Sequence, residues 1–115
     1  MDYWKKADEE LKYAFQAREF ENEGMARVCA RRAGGWAIKA YLSDHSLPIP
    51  TPNAFGLLKD PWVSSLFSQP LQTILSHLAQ RATVEHNFEN LDLVSETNEL
   101  ITSLKKICTS ENTNE

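Results

Sequence analysis

The chain has 115 residues, of which 42% are hydrophobic and 24% charged, and its formal net charge is −4. This length suits one domain that can bury a core without disulfides or metal. The acidic balance excludes a protein that binds nucleic acid by overall charge, so any such site must be a local basic patch.

The opening stretch MDYWKKADEE lacks the apolar core of a signal peptide, and no apolar run approaches the ~20 residues of a membrane span. No leader and no membrane are expected. Residues 2–22 carry Trp4, Ala7, Leu11, Ala14, Phe15 and Phe20 at three- and four-residue spacing, which predicts an amphipathic helix. Asp2 is its expected N-cap. Lys5 with Glu9, Lys6 with Glu10 and Asp8 with Lys12 are four apart and suit its exposed face. The stretch ENEG ends this helix, with Gly24 as the expected hinge.

A second helix is predicted from about Glu23 to His45. Met25, Cys29, Arg32 and Trp36 form one row along it, and Ala26, Ala30, Ala33, Ala37 and Ala40 form the next. Gly34 and Gly35 sit in its middle, where each costs about 1 kcal/mol relative to alanine. A row of small residues lets a second helix approach closely, and tight packing can offset that loss. Arg32 shares a row with Cys29 and Trp36, so it is expected to be half-buried and in need of a partner. Cys29 and Cys108 have no cysteine or histidine at zinc-ligand spacing. Both read as reduced thiols, in keeping with a cytoplasmic setting.

The prolines of SLPIPTPN rule out helix there. Asn53 then caps AFGLLKD, and Pro61 suits the first turn of PWVSSLFSQ. Pro70 can open a helix with Leu71, Ile74, Leu75 and Leu78 on one face. Residues 61–81 fit either one kinked helix or two. TVEHNFENLD reads as a connection. The last helix is expected from Asp92, as N-cap, to Cys108, with Leu93, Val94, Thr97, Leu100, Ile101, Leu104 and Ile107 at helical spacing. Lys105 and Lys106 would fall in its last turn, where the helix dipole favours cations. The prediction is an all-α protein: an up-and-down four-helix bundle over residues 1–108, with extra short helices in its second half. Residues 109–115 form a polar tail.

The chain resembles a HEPN domain, the small helical domain named for higher eukaryotes and prokaryotes nucleotide binding. The likeness rests on YWKKADEELKYAFQAREFENEG, on ARVCARRAGGWAIKAYL and on the proline-containing turn HSLPIPTPNAFGLL. It covers about the first 60 residues, and the rest only by helix count. Where many members carry Gln and Glu in the second helix, this chain has Arg31, Arg32, Gly34 and Gly35. The resemblance implies a homodimer. It also implies a nucleotide, an RNA, a nucleotidyltransferase-like protein or another operon partner as ligand, with no cofactor.

One branch of that family consists of metal-independent ribonucleases, known by an Arg and a His shortly before the last helix. Arg81 and His86 in RATVEHNF match that pattern. A histidine can move protons near neutral pH, and an arginine can hold the scissile phosphate. Against this, Ala82 supplies no hydrogen bond and Glu85 would repel the phosphate, so a plain surface loop is the expected outcome. Arg27, Arg31 and Arg32 form a second candidate, a phosphate or nucleotide clamp, since Arg27 and Arg31 share a helix face. The plainer expectation is that they pair with Glu19, Glu21 and Glu23. His45 and His77 read as surface or capping residues, and no metal site is expected. Trp4, Trp36 and Trp62 can stack bases, but core or interface anchoring is the commoner use.

Overall fold

Capping side chains decide where most of the helices begin. The Asp2 carboxylate accepts from Lys5 N–H and opens α1 (Tyr3–Glu19). The Asn22 amide oxygen accepts from Met25 N–H and opens α2 (Glu23–Asp44). Asn53 accepts from Phe55 and Gly56 N–H and opens α3 (Ala54–Lys59). Asp60 accepts from Val63 N–H and opens α4 (Pro61–Ser65), with Pro61 in the first turn. Each cap satisfies a backbone donor that has no partner inside its helix. Then follow α5 (Gln69–Ala79) and α6 (Leu93–Asn112). Asp92 precedes α6 and accepts from Ser95 N–H. This computed structural model describes residues 2–80 and 92–112, with side chains described for residues 2–80 and 92–109; among them there is no strand.

The turn between α1 and α2 differs from the expected one. Gly24 lies inside the first turn of α2, and the hinge is Glu21, whose φ is 60°. Asn22 N–H closes on Ala17 C=O at 2.8 Å across it. The end of α2 repeats the device: Ser46 has φ 55°, and Leu47 N–H closes on Leu42 C=O at 2.8 Å. Glycine is the usual residue at this left-handed position. Here Asn22, a strong cap, restarts the helix before Gly24 is reached.

Between Pro61 and Ala79 the chain forms two helices, α4 and α5, rather than one. The break spans Leu66 to Ser68. Pro70 has no N–H to donate to Leu66 C=O, which removes the bond a continuous helix would need there. The last helix runs four residues past the expected end, through Asn112. Nothing in Thr109–Asn112 stops it: there is neither proline nor glycine. Lys105 therefore sits away from the last turn, and its ammonium reaches across to the Asp8 carboxylate of α1 at 2.9 Å.

Cross-helix contacts fix the topology. Arg18, near the end of α1, bonds Glu23 at the start of α2 and Asp92 at the start of α6. Trp4, at the other end of α1, donates its indole N–H to Asp44 at the end of α2. His77, in the last turn of α5, meets Glu96 in the first turn of α6. The four long helices therefore run up, down, up and down, with α3 and α4 built into the connection between α2 and α5.

The core is centred on α2, which packs against α1, α3, α5 and α6. Ala26, Ala30, Ala33 and Ala37 are fully buried in one cluster with Ala7 and Ala14 of α1. Leu57, Val63, Leu75, Leu78, Leu93, Val94, Leu100 and Leu104 complete it. Thr97, also buried, directs its hydroxyl to Ala30 C=O at 3.4 Å. The two glycines answer to different neighbours. A Cβ on Gly34 would lie 3.0 Å from Leu78 Cδ1, 3.4 Å from Leu58 Cδ2 and 3.7 Å from Leu100 Cδ2, where three helices converge. A Cβ on Gly35 would lie 2.8 Å from Ala54 Cα, so here it is the backbone of α3 that comes close.

Two aromatic residues expected on the buried face of α1 are elsewhere. Phe15 is exposed, and Phe20, which follows the helix in the turn, is 83% exposed.

Candidate functional site

The arginines of α2 separate by helical position. Arg27 and Arg31, four apart, lie on the side of α2 that faces the end of α5. Arg31 is half-buried there, and its guanidinium donates to Leu78 C=O at 2.9 Å and to Gln80 C=O at 2.7 Å. It thus occupies carbonyls that the end of α5 leaves without intrahelical partners, at the negative pole of the helix dipole. Burial, and then the charge of Arg27, hold the Arg31 pKa below its ordinary value.

The expected pairing of Arg27 and Arg31 with Glu19, Glu21 and Glu23 is corrected in part. Glu23 is bonded to Arg18 at 2.7 and 3.2 Å, and Arg27 adds only its field. Arg32 is also corrected. It is exposed on the opposite side of α2 rather than half-buried. The row it shares with Cys29 and Trp36 is split at the surface: Cys29 turns under α1, whereas Arg32 and Met25 stay outside. The three arginines therefore do not form one clamp. Arg81 and His86 lie outside the described residues.

Arg18 makes a charged hub that spacing did not reveal. It links the start of α2 to the start of α6, and its own pKa is raised by hydrogen bonds to Glu23 and then Asp92. The Arg18 hydrogen bond holds the Glu23 carboxyl below its usual range. Burial pushes the Asp92 carboxyl up, but hydrogen bonds from Ser95 N–H, from Arg18 and from the Ser95 hydroxyl outweigh it and hold it below the usual range.

His45 caps the end of α2, as expected, with Nδ1 2.9 Å from Tyr41 C=O and its ring stacked on Tyr41. His77 is not a plain surface residue. It is half-buried, and its Nδ1–H donates to Glu96 Oε1 at 2.6 Å. Because these residues come from different helices, no local spacing announced the pair. Among the described residues there is no group of three His, Cys, Asp or Glu side chains suited to a metal ion. Neither Cys29 nor Cys108 forms a disulfide, and burial pushes the Cys29 thiol pKa up, as does the nearby charge of Glu10.

Open grooves among the described residues include two of note. One, of about 410 Å³, lies between the α3–α4 region and α5, where Lys59, Ser64, Gln72 and Ser76 border Leu58 and Leu75. The other, of about 340 Å³, lies beside Trp4, Asp44, Lys105 and Cys108. Neither holds an arginine of α2.

Another surface feature is apolar. Tyr13 (51% exposed) and Phe20 lie seven apart along α1 and into its turn, so they share a side. Met25 (46%) and Val28 (37%) lie three apart on α2. Tyr3 of α1 stacks on Trp36 of α2 with centroids 5.8 Å apart, which puts these edges of the two helices on the same side of the pair. This side is turned away from α6, which contacts α2 along Ala30 and Gly34. Comparison with family models, with curated proteins and with solved structures finds no match to this chain.

Proposed function

We propose that the chain is a HEPN-like helical binding or accessory module that works as a homodimer in the cytoplasm and does not cut its ligand. The observation that carries this reading is the apolar side of the α1–α2 pair, with Tyr13, Phe20, Met25 and Val28 all exposed. Contiguous apolar surface on a small domain marks a contact with another macromolecule. Of the ligand classes the resemblance implies, nucleotide, RNA and operon partner protein, the geometry favours protein. Arg31 commits two of its N–H donors to carbonyls at the end of α5, and Arg32 lies on a different side of α2 from Arg27 and Arg31. A phosphate clamp would need these side chains together. The cytoplasmic setting is supported by the two buried cysteines outside any disulfide and is compatible with the described helices, none of which is long and apolar enough to cross a membrane.

The test is incubation of the purified protein with labelled single-stranded RNA in the presence of EDTA. Intact RNA is the expected result. Metal-independent cleavage that disappears in both His86→Ala and Arg81→Ala would replace this reading with an endoribonuclease.

A further inference from the structure

The groove between the α3–α4 region and α5 carries a hydrogen-bonding row and a single charge. Its volume of about 410 Å³ lies within the ~300–1,000 Å³ of ligand pockets. Along one wall Gln72, Ser76 and Gln80 follow at four-residue intervals, so they form a row on one face of α5 and its C-cap. Neighbours in that row are about 6 Å apart, from a rise of about 1.5 Å per residue. An extended peptide presents an N–H and a C=O to the same side at every second residue, about 6.7 Å apart. The two repeats nearly coincide, and the side chains of Gln and Ser can each donate and accept. Gln72 Nε2 donates to Phe67 C=O at 2.9 Å, which leaves its amide oxygen to accept from a peptide N–H. The row spans about 12 Å, close to the length of four extended residues.

The two ends of the groove differ in charge. A Cβ on Gly34 would touch both Leu58 and Leu78, so Lys59, next to Leu58, stands beside the end of α5 that carries Gln80. Phe67 ties the other end, with its N–H on Ser64 C=O and its C=O on Gln72. Among the described residues that line the groove, Lys59 alone is ionisable. Its ammonium lies 5.0 Å from the Phe55 ring centroid, which holds it in place. Asp60, next in sequence, turns its carboxylate to Val63 N–H instead. The negative pole of the α5 dipole would repel an anion here, but Arg31 meets it, donating to Leu78 and Gln80 C=O. One cation at one end of a neutral, peptide-spaced row complements a peptide whose single anion is its terminal carboxylate.

We propose that this groove binds the extended C-terminal tail of a partner protein, about four residues long, with its carboxylate at Lys59. The proposal rests on the function proposed above for its class of partner, and adds the surface and the part of the partner it takes. The test offers the full chain bead libraries of random hexapeptides, one with free and one with amidated C-termini, and titrates the selected peptides by fluorescence anisotropy. Selection from the free-carboxylate library alone is expected. Amidation of a selected peptide and Lys59→Glu should each weaken its binding about tenfold, the worth of one charged hydrogen bond, and Lys59→Arg should retain it. Ser76→Tyr should abolish binding with an unchanged helical spectrum, because Ser76 is exposed. No selection from either library, or equal binding of free and amidated peptides, would overturn the proposal, as would binding that survives Ser76→Tyr. Those failures would leave the function proposed above standing, since the RNA experiment decides it. RNA cleavage there with peptide binding intact here would overturn that function and not the groove.

Discussion

Gly34 and Gly35 are adjacent, equally costly to a helix and both buried, yet replacing each with alanine should have different results. In either case α2 gains about 1 kcal/mol of intrinsic helix propensity. At Gly34 the new methyl would meet the tip of the Leu78 side chain at 3.0 Å, and a leucine tip can swing by the few tenths of an ångström required. The gain and the crowding nearly cancel, so Gly34→Ala should lie within roughly 0.5 kcal/mol of the native chain. At Gly35 the new methyl would overlap Ala54 Cβ and lie 2.8 Å from Ala54 Cα. Carbon atoms rest at about 3.5–4.0 Å, so the start of α3 must retreat by roughly an ångström or more. Backbone displacement of this kind costs about 1–3 kcal/mol, which exceeds the propensity gain. Gly35→Ala should therefore lose about 1 kcal/mol net and lower Tm by roughly 4–8 °C. Gly34→Leu carries three further carbons into the meeting point of Leu78, Leu58 and Leu100 and should lose about 1–3 kcal/mol. Urea titration followed by far-ultraviolet circular dichroism measures all three. A Gly35→Ala protein more stable than the native chain would refute the claim that α3 backbone requires the glycine.

Arg31→Ala should cost about 1–2 kcal/mol, because it strips two charged hydrogen bonds from the end of α5. Arg31→Lys should recover only part of this in thermal melts, since an ammonium lacks the fork that reaches both carbonyls. Glu23 and Asp92 both have folded pKa values below their ordinary 4.5 and 3.8. Below those values the unfolded chain binds more protons than the folded one, so stability present above about pH 4.5 should fall as the pH is lowered through the folded values. Arg18→Ala should flatten that acid limb in denaturant titrations at stepped pH, while changing stability at neutral pH by only about 1 kcal/mol, because the group is partly exposed.

The helical periods of Ala26 to Ala40, Leu71 to Leu78 and Leu93 to Ile107 made the bundle legible, since each records one buried face. Asp2, Asn53, Pro61 and Asp92 were readable as helix starts because a cap acts within three residues. The turn at Glu21 was not, because a left-handed glutamate leaves no compositional mark and Gly24 beside it is the stronger signal. The candidate sites were less legible. Arg31 and the end of α5 are 47 residues apart, and His77 and Glu96 are 19 apart; such partners meet only through the packing of whole helices. Phe15 and Phe20 have the apolarity of core residues, so a pattern reading assigns them inward, and both are exposed. Nothing in one chain's periodicity distinguishes a face that its own helices cover from one left outside.

The centrality of α2 has a kinetic consequence. Its contact with α1 closes across a three-residue turn, whereas its contact with α6 joins Ala30 to Thr97, 67 residues away. Local closures are fast and distant ones slow. The two N-terminal helices would pair early, and the arrival of α6 against Gly34 and Ala30 would then set the pace of the whole reaction. In the interval the small-residue groove of α2 faces water with its apolar floor open. That transient groove, rather than anything on the finished surface, is where a trapped or misassembled species would begin. Substitutions at Ala14 or Ala26 should then slow refolding, whereas those at Leu100 or Leu104 should chiefly hasten unfolding.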